Sequence, residues 1–354
     1  MDAREFLGME ATADPTRWFL PVTPAVSTPG RFLFGGCGLA AGIVAMEAAS
    51  ERPAIWASAQ YLSFAPTGSV LRWDVELTAT GKYLTQARAV GSYSDQDIIT
   101  VNAALGSPVE GARGSGATVV PSQVEGPHAY PNREWPSFMG DSVFARVEQR
   151  LAAGRGFEDL DPDATDPHSV WWFHIPGHLE PSAATLAILG DYVTGGVSQA
   201  LGERTMSRSL DNTLRVGRLV PTEWLLCDSW IQFAAGGFAY GEAHLFAEDG
   251  TLLGTASQSM STRPWDPEHL AELAARVEPS SAESVASGTA ASGTVASGTV
   301  ASGTVASGTE AGATDAAGTG SGAPRARRRD GSGETGTARP RGTTPRGRRT
   351  TTPR

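Results

Sequence analysis

Residues 35–49 read GGCGLAAGIVAMEAA, and residues 181–193 read PSAATLAILGDYV. Each is a Gly/Ala-rich, apolar stretch long enough for a helix, and each is followed by extended segments. After the first come IWASAQYLSFA (55–65), VLRWDVELTA (70–79), YLTQARAVGSY (83–93) and DIITVNAALG (97–106). After the second come SRSLDNTLRVGRLV (207–220), WLLCDSWIQFAA (224–235), FAYGEAHLFA (238–247) and TLLGTASQSMST (251–262). In VLRWDVEL, polar Arg72, Asp74 and Glu76 alternate with Leu71, Trp73, Val75 and Leu77, the period of a half-buried antiparallel strand.

The separators are turn-like: Pro66-Thr67-Gly68, Thr80-Gly81-Lys82 and Ser94-Asp95-Gln96 in the first half. Pro221-Thr222 matches Pro66-Thr67 at an offset of 155 residues, and the same offset pairs Gly81 with Gly236 and Thr100 with Thr255. One helix and an antiparallel sheet are therefore expected twice. Residues 1–110 form the first unit, 111–140 a linker rich in Pro, Gly and Ser, and 141–278 the second unit. Strands VFARVEQRLA (143–152) and SVWWFHI (169–175) open that second unit, Gly195-Gly196 stops its helix, and DPEHLAELAARV (266–277) closes it.

Composition sets the outer limits. The chain has 354 residues, and from Pro279 onward it contains no Phe, Trp, Tyr, Leu or Ile. Such a segment cannot offset its ordering entropy, so 279–354 is expected to be a disordered, Arg-rich tail, with VASGT or AASGT recurring as spacer. The tail carries a net +5, leaving 18 basic and 33 acidic residues, a net −15, in the body. A body that acidic is a poor nucleic-acid binder. Two cysteines, Cys37 and Cys227, exclude a disulfide scaffold. The N-terminus lacks the apolar core of a signal peptide, and no run of 18 apolar residues suggests a membrane span, so a cytoplasmic protein is expected.

A helix wrapped by a long antiparallel sheet, present twice, is an α+β double hotdog. RFLFGGCGLAAG (31–42), the Pro-interrupted strand pair after it and the run from LGDYV to TASQS resemble acyl-CoA thioesterase II over residues 17–265. The resemblance implies hydrolysis of acyl-CoA to free acid and CoA, without cofactor or metal, by a water held between an Asp, a Ser or Thr and a Gln. The matching positions are Asp191 in LGDYV, Ser209 in RSLDN and Gln258 in TASQS. Relatives usually carry Gln at Cys37, His at Asn212 and an acid at Ser259. Gly35 and Gly36, at a helix start, are candidates for contact with the thioester carbonyl or for tight packing. Arg215 and Arg218 are the first candidates to offset the phosphates of CoA. Because hotdog sheets commonly pair edge to edge or through helices, a homodimer is expected.

Each residue also has a blander reading. On a helical wheel Asp191 falls opposite the apolar centre, as a solvated-face residue does. Ser209 alone is a strand-edge hydroxyl, and Gln258 between two serines is a solvent-facing strand residue. The order and spacing of the triplet carry the catalytic reading. At the 155-residue offset Gln258 corresponds to Ala103 and Ser209 to Ala54, and the first helix has only Glu47, so one active site per chain is expected. The runner-up is a non-catalytic hotdog module that binds acyl-CoA or acyl-carrier protein.

Other motifs carry less. Gly36-Cys37-Gly38-Leu39-Ala40-Ala41 fits a dinucleotide fingerprint, but no acid follows at the required distance and no βα units alternate. Pro176-Gly177 keeps His174 and His178 off one helical face, so they make no metal pair. There is no G-x-S-x-G elbow, and Cys37 reads as a small packed hydrophobe. The arginines of the tail read as solvated, with no partner assignable.

Overall fold

The computed structural model describes residues 1–266 except 108, 110, 115, 117, 118, 136–139, 178 and 179. The expected tail and all but the first residue of the closing helix at 266–277 lie outside the described residues. The strands among the described residues are β1 (Glu10–Ala11), β2 (Arg17–Pro21), β3 (Ala54–Tyr61), β4 (Val70–Thr80), β5 (Leu84–Tyr93), β6 (Gln96–Gly106), β7 (Glu148–Ala153), β8 (His168–His174), β9 (Thr205–Ser209), β10 (Asp211–Val216), β11 (Leu225–Ala235), β12 (Phe238–Ala247) and β13 (Leu252–Pro264). The helices are α1 (Ala3–Leu7), α2 (Gly35–Ser50), α3 (Val143–Arg146), α4 (Ala183–Gly190) and α5 (Gly196–Leu201), with a 3-10 turn, Asp191–Gly195, between the last two.

All strands share one antiparallel sheet, ordered β1-β2-β4-β5-β6-β3-β10-β13-β12-β11-β8-β7, with β9 also on β13. The run β2-β4-β5-β6-β3 of the first half is mirrored by β10-β13-β12-β11-β8 of the second. The seam is the β3–β10 ladder, where Ser58 pairs with Thr213. Those two residues are 155 apart, and their hydroxyls share a 2.7 Å hydrogen bond, so the pseudo-two-fold passes between them. The sequence offset holds for the strands: Val70–Thr80 and Leu225–Ala235 superpose on it residue for residue. It fails for the helices, since α4 starts 148 residues after α2. The difference is taken up by α5 and the turn into β9.

Both central helices are buried nearly all round, as the filling of a hotdog must be. In α2 the run Gly36–Ile43 with Ala45 and Met46 is buried, and in α4 every residue is. On β4, Leu71 and Trp73 are fully buried while Val70 and Arg72 face out, as the alternation requires. At the β5–β6 hairpin, Ser94 and Asp95 both take positive φ, 49° and 59°, the pattern that matches the twist of a two-residue turn.

Three local expectations are corrected. Residues 143–152 are not one strand. The α3 turn precedes β7, because Val143 N–H donates to Ser27 O and Arg146 Nη1 to Phe6 O and Ala25 O, tying this segment to the first half. The strand expected at 207–220 breaks at Leu210, whose N–H bonds Ser259 O while its carbonyl accepts from Tyr61 N–H. Gly195-Gly196 does not stop the second helix: both are right-handed, and the chain turns out only at Gly202, φ 68°.

Part of the linker is a packed cover. Val124 and Tyr130 lie on an outer apolar cluster of Val170, Trp172, Trp224, Leu226 and Phe246. Trp172 Nε1 donates to Glu125 O, and Ser122 N–H donates to the buried Asp228. Among the described residues no helix is long and apolar enough to cross a membrane.

Candidate active site

A helix start leaves its first N–H groups without partners inside the helix. At α2 the residue before the helix is Phe34, which offers no capping oxygen. The partner comes instead from the other half: Gly36 N–H donates to Asp191 Oδ2 at 2.6 Å. That contact demands glycine. A Cβ on Gly36 would lie 2.8 Å from Ala187 O, 2.9 Å from Ile188 O and 2.8 Å from Asp191 Cβ.

Asp191 closes α4 and is 2% exposed, so the wheel's solvated-face reading does not hold. The wheel fails because α4 has no solvated face. Its Oδ1 accepts from Asn212 Nδ2 at 3.1 Å and from Gln258 Nε2. Asn212 on β10 and Gln258 on β13 are themselves buried, 1% and 0% exposed. No cation pairs with the carboxylate among the described residues. Burial therefore dominates and pushes the Asp191 carboxyl up to about 7, against the pull of hydrogen bonds from Gly36, Gln258 and Asn212.

Three buried polar atoms near this carboxylate have no hydrogen-bond partner: Asn212 Oδ1, Gln258 Oε1 and the Tyr61 hydroxyl. Buried polar groups are nearly always paired, so such a cluster marks a place for water or ligand. Beside them, the space a Cβ on Gly35 would occupy is flanked by Asp191 Oδ2 at 2.9 Å and the Tyr61 hydroxyl at 3.1 Å.

The structure thus brings together Asp191, Gln258, Gly35 and Gly36. Ser209 is opposite Met260 on β13, hence on the inner face, but its hydroxyl makes no hydrogen bond to Asp191. The second amide at the carboxylate is Asn212. Arg215 and Arg218 are exposed and stand apart: Arg215, three positions beyond Asn212 on the same strand, projects from the opposite face of the sheet. The sequence reading missed Asn212 and Tyr61 as site residues. At the 155-residue offset the counterparts of Asn212 and Gln258 are the buried alanines Ala57 and Ala103. No cluster of His, Cys, Asp or Glu suited to a metal occurs among the described residues.

Residues 121–262 match the family model of the acyl-CoA thioesterase C-terminal domain. The chain is similar to the acyl-CoA thioesterases. A candidate thioesterase from Novosphingobium aromaticivorans is 26% identical, with a TM-score of 0.62 over 71% of this chain and 97% of its own. Acyl-CoA thioesterase II TesB2 from Mycobacterium marinum is 19% identical, with a TM-score of 0.59 over 75% of this chain and 99% of its own. A hot dog fold protein from Alicyclobacillus acidocaldarius is 16% identical, with a TM-score of 0.62 over 75% of this chain and 98% of its own. No curated protein matches the chain. The double hotdog expected from the sequence is the observed fold, and the resemblance to acyl-CoA thioesterase II stands. The acyl-CoA thioesterase match opens at residue 121, within the segment that covers the outer face of the second half of the sheet.

Proposed function

We propose that this chain hydrolyses acyl-CoA thioesters with a water activated by Asp191. The observation that carries the reading is the carboxylate itself: buried, without a cation, held by three donors and titrating near neutrality. A carboxylate so placed is a stronger base than one in water. Gly36, Asn212 and Gln258 fix its orientation, which leaves a lone pair of Oδ2 for the proton of an attacking water. That water's second hydrogen is accepted by the unpaired oxygen of Gln258 or Asn212.

In the step that follows, the water oxygen bonds to the thioester carbon while Asp191 takes the proton and the carbonyl π pair moves onto its oxygen. Collapse of this tetrahedral species breaks the carbon–sulfur bond. The thiolate leaves and takes up the proton held by Asp191, giving free acid and CoA thiol. The positive end of α2, opening at Gly35, lies beside the developing oxyanion. Ser209, on the same face as Gln258, borders the water without bonding the carboxylate. No residue of this scheme calls for a cofactor.

Thiol release from a panel of acyl-CoAs of increasing chain length tests the reading, with Asp191→Asn alongside. Turnover by the wild-type protein and a loss of about a thousandfold or more in the variant are expected, the scale seen when a general base is removed. Rates indistinguishable from those of the variant on every acyl-CoA would reject the enzyme. Tight binding without thiol release would instead identify a binding module.

A further inference from the structure

We infer that Tyr61, contributed by the first half of the chain, is a further catalytic residue of this site, its hydroxyl donating a hydrogen bond to the thioester carbonyl oxygen. The inference rests on the thioesterase reading above and extends it to the group that meets the oxyanion. Tyr61 ends β3 on the inner face, continuing the line of the buried Ala57 and Ala59. Its backbone N–H donates to Leu210 O at 3.1 Å, which fixes it against the bend between Ser209 and Asn212.

The hydroxyl oxygen is buried and no side chain meets it in full hydrogen-bond geometry, although the Asn212 side chain lies close enough to pull its titration down and Asp191 is a further neighbour. It flanks the same space beside Gly35 as Asp191 Oδ2 does. The other unpaired groups there, Asn212 Oδ1 and Gln258 Oε1, are acceptors and suit the water. Gly36 N–H is already committed to Asp191. Tyr61 is therefore an unpaired side-chain donor that flanks the space beside Gly35, and a carbonyl oxygen gaining charge is what such a donor serves. Burial, together with the negative charge of Asp191, holds the phenol well above its ordinary titration range, so it remains a donor wherever the protein is active.

The test is Tyr61→Phe, which keeps the ring and removes only the hydroxyl. It is read by thiol release and by binding of two analogues that cannot be hydrolysed. One is an acyl-CoA ketone, with methylene in place of sulfur, which keeps the carbonyl; the other is the S-alkyl-CoA thioether, which lacks it. The variant is expected to lose about a hundredfold to a thousandfold in kcat, the scale of one oxyanion donor, with KM changed by no more than a few-fold. Its affinity for the ketone should fall while that for the thioether stays. Wild-type kcat with unchanged affinity for both analogues would overturn the assignment, and so would equal weakening of both, which marks a packing role. A wild-type protein that releases no thiol would defeat the thioesterase reading, and the two analogues would still decide Tyr61.

Discussion

Asp191 shows how burial raises an ordinary carboxyl into the range a general base would need. Three donors keep it ionisable, but none carries a full positive charge, so desolvation wins. The site residues were unevenly legible in the sequence. Asp191 and Gln258 were reached through their match, in order, to the motif of the family the chain resembles, whereas the wheel pointed Asp191 toward solvent because it assumed an exposed helix face. Asn212 was hidden in the polar run Asp211-Asn212-Thr213, where alternation is silent and the bend at Leu210 resets which residues face inward. That Asn212 departs from the usual His was the one sequence signal at its position. The geometry separates two substitutions: Asn212→Ala removes a hydrogen bond to the carboxylate and should lower kcat about tenfold to a hundredfold. Ser209→Ala should cost less than Asn212→Ala on the same substrate. The reverse order in steady-state assays would place Ser209, not Asn212, at the carboxylate.

At the level of elements, the site exists because the start of α2 and the end of α4 approach within a hydrogen bond of one another. Gly36 permits that approach, since its Cβ would meet two backbone carbonyls that cannot step aside. Gly36→Ala should therefore destabilise the fold by about 1–3 kcal/mol and lower the melting temperature by several degrees. At Gly35 the neighbours are the side chains of Asp191 and Tyr61, which can give way. Gly35→Ala should leave melting closer to wild type while lowering kcat, and calorimetry beside thiol release distinguishes the two. Strands were the more readable elements, because strict alternation and turn residues fix them locally. The passage from the 3-10 turn into α5 through Gly195-Gly196 was not readable, since glycine permits a stop without requiring one. The α3 turn was hidden for a different reason: its partners lie in the other half of the chain.

Across the whole molecule, a sheet with pseudo-two-fold symmetry carries different residues at corresponding positions of its two halves. The seam at Ser58 and Thr213 retains the symmetry, while Ala57 and Ala103 occupy the places of Asn212 and Gln258. The duplication was legible as an offset of 155 residues, and apart from Gly35 and Gly36 the sequence reading left the first half a supporting role. Gly36 bonds Asp191, and the proposal made for Tyr61 would give that half a second group at the site. Titration of the protein with the ketone analogue should accordingly saturate at one ligand per chain; two equal sites would mean that the first half keeps a centre of its own.

The claim on which the rest depends is that Asp191 is the base. It is tested most directly by kcat/KM for thiol release as a function of pH. Below its titration point the carboxyl already holds a proton and cannot take one from water. The rate should thus fall about tenfold per unit on the acid side, pass its midpoint near the Asp191 value of about 7 and level off above it. Asp191→Asn should give a low profile without that limb. A wild-type profile flat through this range, or an Asn variant that retains the limb, would contradict the account.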